Sequence, residues 1–373
     1  LTIREKWEYA LTAKASYITQ DYLAGKYPIH IEQDNLLVNG ALLPNEKIVS
    51  LVKDLKNNEA LLNGDQLLAA RLDQKQFQQL IDDESIDELS GMDISGLDDV
   101  IDMISRPYHL FTKAADELAK DFKILTKGRK SANLSTSNQL IGKRKNLFIE
   151  EGAWIECATL NTEGGPIYIG RNATVMEGSM IRGGLALGDN STVKMGAKLY
   201  GTNTIGPWCK VGGEIGNSIL LGYSNKGHDG YLGNSVLGEW CNLGADTNTS
   251  NLKNNYSEVK LWDYVDRRFA KTGEQFCGLI MGDHSKCGIN TMFNTGTVVG
   301  VGCNIYGDGY PRNYIPSFSW GGSSGFSTNR VDKMLTVAEK VMGRRKLTLE
   351  EVDRRVINHV FLSTAESRVW ESA

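Results

Sequence analysis

The sequence predicts a left-handed parallel β-helix of six-residue repeats, preceded by a partial α/β domain and followed by C-terminal helices. Three observations predict it. Aliphatic residues stand at Ile169, Val175, Ile181, Leu187, Val193, Leu199, Ile205 and Val211, a spacing of six that neither the 3.6-residue period of a helix nor the alternation of a plain strand produces. Four residues on from such positions the side chain is often small, as at Ala173, Ser179, Ser191, Ala197 and Cys209. The 40 glycines crowd into the second half of the chain, with Asn and Asp beside them. A triangular coil needs this combination: an apolar residue pointing inward on each short strand, a small residue near the bend, and Gly or Asn where φ turns positive.

The phase slips between Gly216 and Gly230 and resumes at Leu237 and Leu243. Residues 247–277 are polar and aromatic with no period, after which Met281, Cys287, Phe293, Val299 and Ile305 restore the spacing of six. A long loop ejected from a regular solenoid is more often functional than accidental.

Outside the repeat, Leu36–Val38 followed by LLPNEKIVSLVKDL reads as strand, turn and helix, with Asn45 as N-cap and Ile48, Leu51, Val52 and Leu55 on one face. Residues 98–123 read as largely helical, and 127–139 as a polar connector. Beyond Trp320-Gly321-Gly322 two helical patterns close the chain, the second headed by a capping box at Thr348–Glu351. These helices are expected to cover the last coil or to pack on a neighbouring subunit. The expected domains are 1–127 (partial α/β), 128–140 (linker), 141–326 (β-helix) and 327–373 (C-terminal helices).

With 41 Lys and Arg against 45 Asp and Glu, the net charge of -4 gives no global reason to expect nucleic acid or an anionic membrane as partner. No apolar stretch approaches the roughly 20 residues that cross a bilayer. Six cysteines without a C-x-x-C pair in a 373-residue chain point to reduced thiols and a cytoplasmic setting.

Of five histidines, His228 lies where the hexapeptide phase slips, in SNKGHDGYLGNSVLGEWCNLGAD. Imidazole is the side chain best suited to take a proton near neutral pH, which is what an amine attacking a thioester requires. The alternative is a histidine that only bonds within a coil corner. The surrounding string, GHDGYLGNSVLGEWCNLGADTNTSN, resembles the acetyltransferase domain of the bifunctional glucosamine-1-phosphate N-acetyltransferase/N-acetylglucosamine-1-phosphate uridylyltransferase family, most closely its Bacteroidetes-type variant. The resemblance covers most of 141–320 and is most specific through 224–251. It implies His228 as catalytic base, Tyr231, Asn242 and Asn251 as sugar-phosphate ligands, the Ala245 backbone beside the acetyl group, and Lys198 on the phosphate where the family has Arg. It also implies acetyl-CoA as co-substrate, a place in UDP-N-acetylglucosamine synthesis, and a homotrimer.

The chain departs from the family pattern at Gly216 and Leu252, where a second basic residue and a Tyr are usual. Arg182, Lys226, Lys253 or Lys260 are the cations available to supply the missing charge, each of which alone reads as a solvated surface residue. Lys260 is the loop cation taken as a substrate ligand. A zinc site is not expected, because only His228 and His284 lie in the repeat. Residues 1–127 resemble the second half of a nucleotidyltransferase sheet through LTIREKW and LLVNGALLP, but Asn39-Gly40-Ala41 stands where a Mg²⁺-binding carboxylate is usual. This region therefore reads either as a structural domain, or as part of an active uridylyltransferase needing Mg²⁺ and a phosphate loop ahead of Leu1.

Overall fold

The computed structural model describes residues 1–83, 89–97 and 100–371. Two compact units divide between Arg106 and Pro107. In the first, a four-stranded sheet runs in the order Asp34–Val38, Gln66–Asp73, Glu59–Asn63, Ser90–Asp93, antiparallel except for the last pair. The helix Glu46–Asp54 forms where its apolar spacing requires, and Asn45 caps it by accepting from the Ile48 N–H at 3.0 Å. Its buried face, Ile48 and Val52, packs with Trp7, Leu42 and Leu61.

The second unit is a left-handed parallel β-helix of about ten turns. Its strands stack into three parallel faces, the longest being a nine-stranded face that begins at Leu147–Ile149 and ends at Tyr314–Ile315. Every position of the six-residue series from Ile169 to Val211 is buried, and these residues form one continuous core with the small Ala173, Ala197 and Cys209. Val175 pairs with Val193 and Val193 with Val211, a full coil of eighteen residues each. At the bends Asn172, Asn190 and Trp208 hold φ between 54° and 61°, one coil apart.

The phase slip has a simple cause. Ile205 pairs with Leu220 and Val211 with Lys226, fifteen residues on, whereas Ile215 pairs with Leu232 and Leu220 with Leu237, seventeen on. Residues are lost at the corners while the strands stay in register, so no inward position is skipped. Lys226 occupies one of them.

The ejected loop carries an antiparallel hairpin, Lys260–Asp263 with Arg268–Lys271. Val259 and Leu261 pack against the outward residues Ile219, Val236 and Val298 of the nine-stranded face, and Phe111 and Ala114 cover the same patch. The helical reading of 98–123 is thus corrected at its start: helix begins at His109–Thr112 and continues as Ala114–Thr126, because Met103 bridges to Leu42 and Pro107 interrupts the chain. Residues 98 and 99 lie outside the described residues. The final helix, Glu351–Ser363, also starts later than its sequence signal: Glu350 and Asp353 form the capping box, not Thr348 and Glu351. The preceding helix, Val331–Gly343, packs Met334, Leu335, Ala338 and Met342 on Trp240 and Phe318 at a coil corner. No helix among the described residues is long and apolar enough to cross a membrane.

Candidate active site

His228 sits on a corner. Strand Asn225–Lys226 belongs to one face of the coil and strand Tyr231–Gly233 to the next, so residues 227–230 make the bend, and His228 is exposed upon it. From inside the coil the Lys226 ammonium donates to the carbonyls of His228, Asp229 (2.8 Å) and Gly212 (3.3 Å). Lys226 is fully buried, which corrects its reading as a surface cation: it fills the inward position next to Val211. Burial pushes it down to about 8, against the pull of Asp229 and Asp246.

On one side of the corner lies a groove of about 590 Å³. Its floor is the column Lys210, Asn225, Asn242, Lys286, neighbours across successive coils. Lys194, Lys210, Lys286, Arg344 and Arg345 line it together with His228 and Ala245, and no carboxylate among the described residues does. The crowding is felt: burial first, then Arg345, Lys194 and Arg344, hold the Lys210 ammonium below its ordinary range. Arg345 also lies over the Trp208 ring at 5.8 Å. The Asn225 side-chain oxygen is buried without a partner while its amide donates to Asn242 Oδ1 at 3.4 Å. The Ala245 carbonyl accepts from Asn290 at 2.8 Å; its own N–H meets no acceptor among the described residues. Such a groove suits a long polyanion, with a backbone donor left over for a developing oxyanion.

On the other side, Lys198, Glu214 and Tyr231 are consecutive neighbours in register. Asn251 donates to the Tyr231 hydroxyl (3.0 Å) and to Asn234 Oδ1 (2.9 Å), which brings the ejected loop back to this face. Burial raises the Tyr231 phenol, so it stays a neutral hydroxyl. Lys198 is not free to meet a phosphate alone: Glu214 lies 3.9 Å from it and also accepts from Tyr200 Oη at 2.5 Å. The departure at Gly216 has a steric counterpart, since a Cβ there would meet the Tyr200 ring at 3.1 Å. Leu252 closes the loop base by bridging to Phe276.

The structure therefore brings His228, Asn242 and Ala245 into one groove, and Lys198, Tyr231 and Asn251 onto the adjoining face. Lys260 joins neither. It lines a separate cleft of about 890 Å³ that shares no residue with the groove. Among the other candidate cations, Arg182 is exposed and Lys253 donates to the Glu258 carbonyl at 2.7 Å. Sequence reasoning missed Lys194, Lys210, Lys286, Glu214 and the pair Arg344-Arg345. The slip and the ejected loop destroy any fixed spacing among them, and only the doubled Arg after the helix was a local signal.

In the first unit the Asn39 side chain is used by its own turn, accepting from Ala41 N at 3.0 Å and donating to Leu67 O at 3.0 Å. An amide engaged this way does not fit a Mg²⁺ ligand, so Asn39 offers no seat for the metal of a uridylyl transfer.

Residues 1–130 match a family model described as sugar nucleotidyl transferase. No curated protein matches the chain. Among solved structures it is similar to the polySia specific acetyltransferase NeuO, at 14% identity over 56% of this chain and 100% of that one, with a TM-score of 0.31. It is similar to the UDP-N-acetylglucosamine acyltransferase LpxA of Bacteroides fragilis (14%, 61% and 96%, TM-score 0.29). A third is the N-acyltransferase AntD of Bacillus cereus, in complex with dTDP and 3-hydroxybutyryl-CoA (12%, 58% and 100%, TM-score 0.24).

Proposed function

We propose that the chain is an acetyl-CoA-dependent N-acetyltransferase whose acceptor is an amino-sugar phosphate, glucosamine 1-phosphate being the first candidate. One observation carries this reading: an exposed histidine stands on a corner between a carboxylate-free cationic groove and a polar face bearing Tyr231 and Asn251. The groove takes the phosphates of the donor on Lys194, Lys210, Lys286, Arg344 and Arg345, and the face takes the sugar. His228 removes a proton as the amine nitrogen attacks the thioester carbon. The Ala245 N–H holds the oxyanion, the C–S bond breaks, and the thiolate leaves with the proton that His228 returns. Asn242 orients the reacting groups from the groove floor. The family resemblance adds a homotrimer to this proposal.

Glu214 beside Lys198 favours a second reading, in which the acceptor is an amino sugar without a phosphate at that point. A thiol-release assay with acetyl-CoA separates these readings when run with glucosamine 1-phosphate, with unphosphorylated amino sugars, and with His228→Ala. The proposal expects acceptor-dependent release that falls at least about 100-fold in the variant. Equal rates in both proteins, or none in the wild type with any amine, would overturn it.

A further inference from the structure

The cleft that holds Lys260 is built from three elements of the second unit: the ejected hairpin, the coil edge at Arg312–Tyr314, and the C-terminal segment 366–370. The hairpin turns Lys260, Trp262, Phe269 and Lys271 to one side, because Leu261 and Asp263 face inward. Trp262 stacks on Tyr314 with centroids 4.1 Å apart and 10° between planes, and Phe269 meets Trp262 edge-on at 5.5 Å. Arg267 closes one end on Glu366 at 2.8 Å.

Charge and shape here are lopsided. Lys253, Lys260, Arg267 and Arg312 line the cleft, and Glu366, already held by Arg267, is the sole carboxylate on its wall among the described residues. The Lys260 and Arg312 side chains have no ion-pair or hydrogen-bond partner among the described residues, in a chain whose net charge is -4. On the same cleft wall Phe269 leaves 43% of its surface exposed. Uncompensated cations lining a cleft that also holds an exposed aromatic ring match a ligand with phosphates at one end and a flat ring at the other.

We infer that this cleft is a binding site for a nucleoside diphosphate, with phosphates on Lys260 and Arg312 and the base against Phe269. It is separate from the His228 groove and does not depend on the reading given to that groove.

Photolabelling of the full chain with 5-azido-UDP, followed by peptide mapping, locates the site whatever else binds nucleotides. The expected result is label on peptides from 259–271 or 366–371, competed by UDP at least 10-fold better than by uridine or inorganic pyrophosphate. That label should be lost in Lys260→Glu/Arg312→Glu and weakened several-fold in Phe269→Ala, a surface change that keeps the fold testable if the double variant does not fold. Label confined to residues 1–106 or to the His228 groove, or cleft label that UDP does not displace, would overturn the inference.

Discussion

The Lys226 ammonium donates to the backbone carbonyl of His228 from inside the coil, and the same group reaches the carbonyls of Asp229 and Gly212. A cation thus takes an aliphatic position of the repeat and ties down the corner that presents the proposed base.

Replacing Lys226 by Met tests this tie. The His228 and Gly212 carbonyls lose their donor, at about 1–3 kcal/mol for each left unsatisfied, while the Asp229 carbonyl keeps the Asp246 N–H at 3.1 Å and an apolar side chain takes the place of a buried charge, which offsets part of that loss. The expected outcome is a modest fall in stability, on the order of 1–2 kcal/mol, with acetyl transfer reduced at least 10-fold. Urea denaturation and steady-state rates on the same preparation check both parts.

Stability should also depend on pH through this lysine. Its folded value is lowered to about 8 from 10.5, so between those limits the unfolded chain binds more protons than the folded one, and stability rises with pH. Below about 8 both states are protonated and the full cost of burying the charge is felt. Wild-type denaturation midpoints should climb relative to Lys226→Met from pH 8 to pH 10; parallel curves would contradict the assignment.

Glu214→Gln should release Lys198. An exposed pair at 3.9 Å is worth up to roughly 1 kcal/mol, so a phosphorylated acceptor should show a KM lowered by up to about fivefold, with kcat little changed. An unphosphorylated amino sugar should show no such gain.

Arg344→Ala/Arg345→Ala should weaken donor binding by up to roughly 30-fold, at up to about 1 kcal/mol for each of these partly exposed cations, and should flatten its salt dependence. Calorimetry with CoA at two ionic strengths reads this directly, without the acceptor.

Gly213→Ala should disturb the corner from below. Gly213 holds φ at +71°, and a Cβ there would meet the His228 carbonyl at 2.8 Å. A left-handed backbone costs about 1–2 kcal/mol for alanine before any clash. A lowered melting temperature together with lost activity is expected; Gly196→Ala, also at positive φ but with open space around the added carbon, should lower stability and spare the rate.

Much of this molecule was legible in its residues. Ile169 through Val211 are inward because six-residue spacing returns a side chain to the same place on a three-sided coil, and His228 stood out because it interrupts that spacing. Asn45 was readable as a cap because capping is a local contact. Glu350 was not, since Glu at both 350 and 351 leaves the start of the helix to packing of Ile357 and Leu349.

What the sequence determined by itself is therefore whatever depends on neighbours close along the chain: the repeat, its bends, the slip and the ejected loop. The tertiary structure alone decided that Lys226 points inward, that Glu214 stands beside Lys198, that Arg344 and Arg345 reach the groove beside His228, and that Lys260 belongs to another cleft. The physical reason is that coil stacking sets side chains side by side at separations of fifteen, sixteen, seventeen or forty-four residues, as corners shorten and a loop is thrown out, and no local pattern encodes those distances.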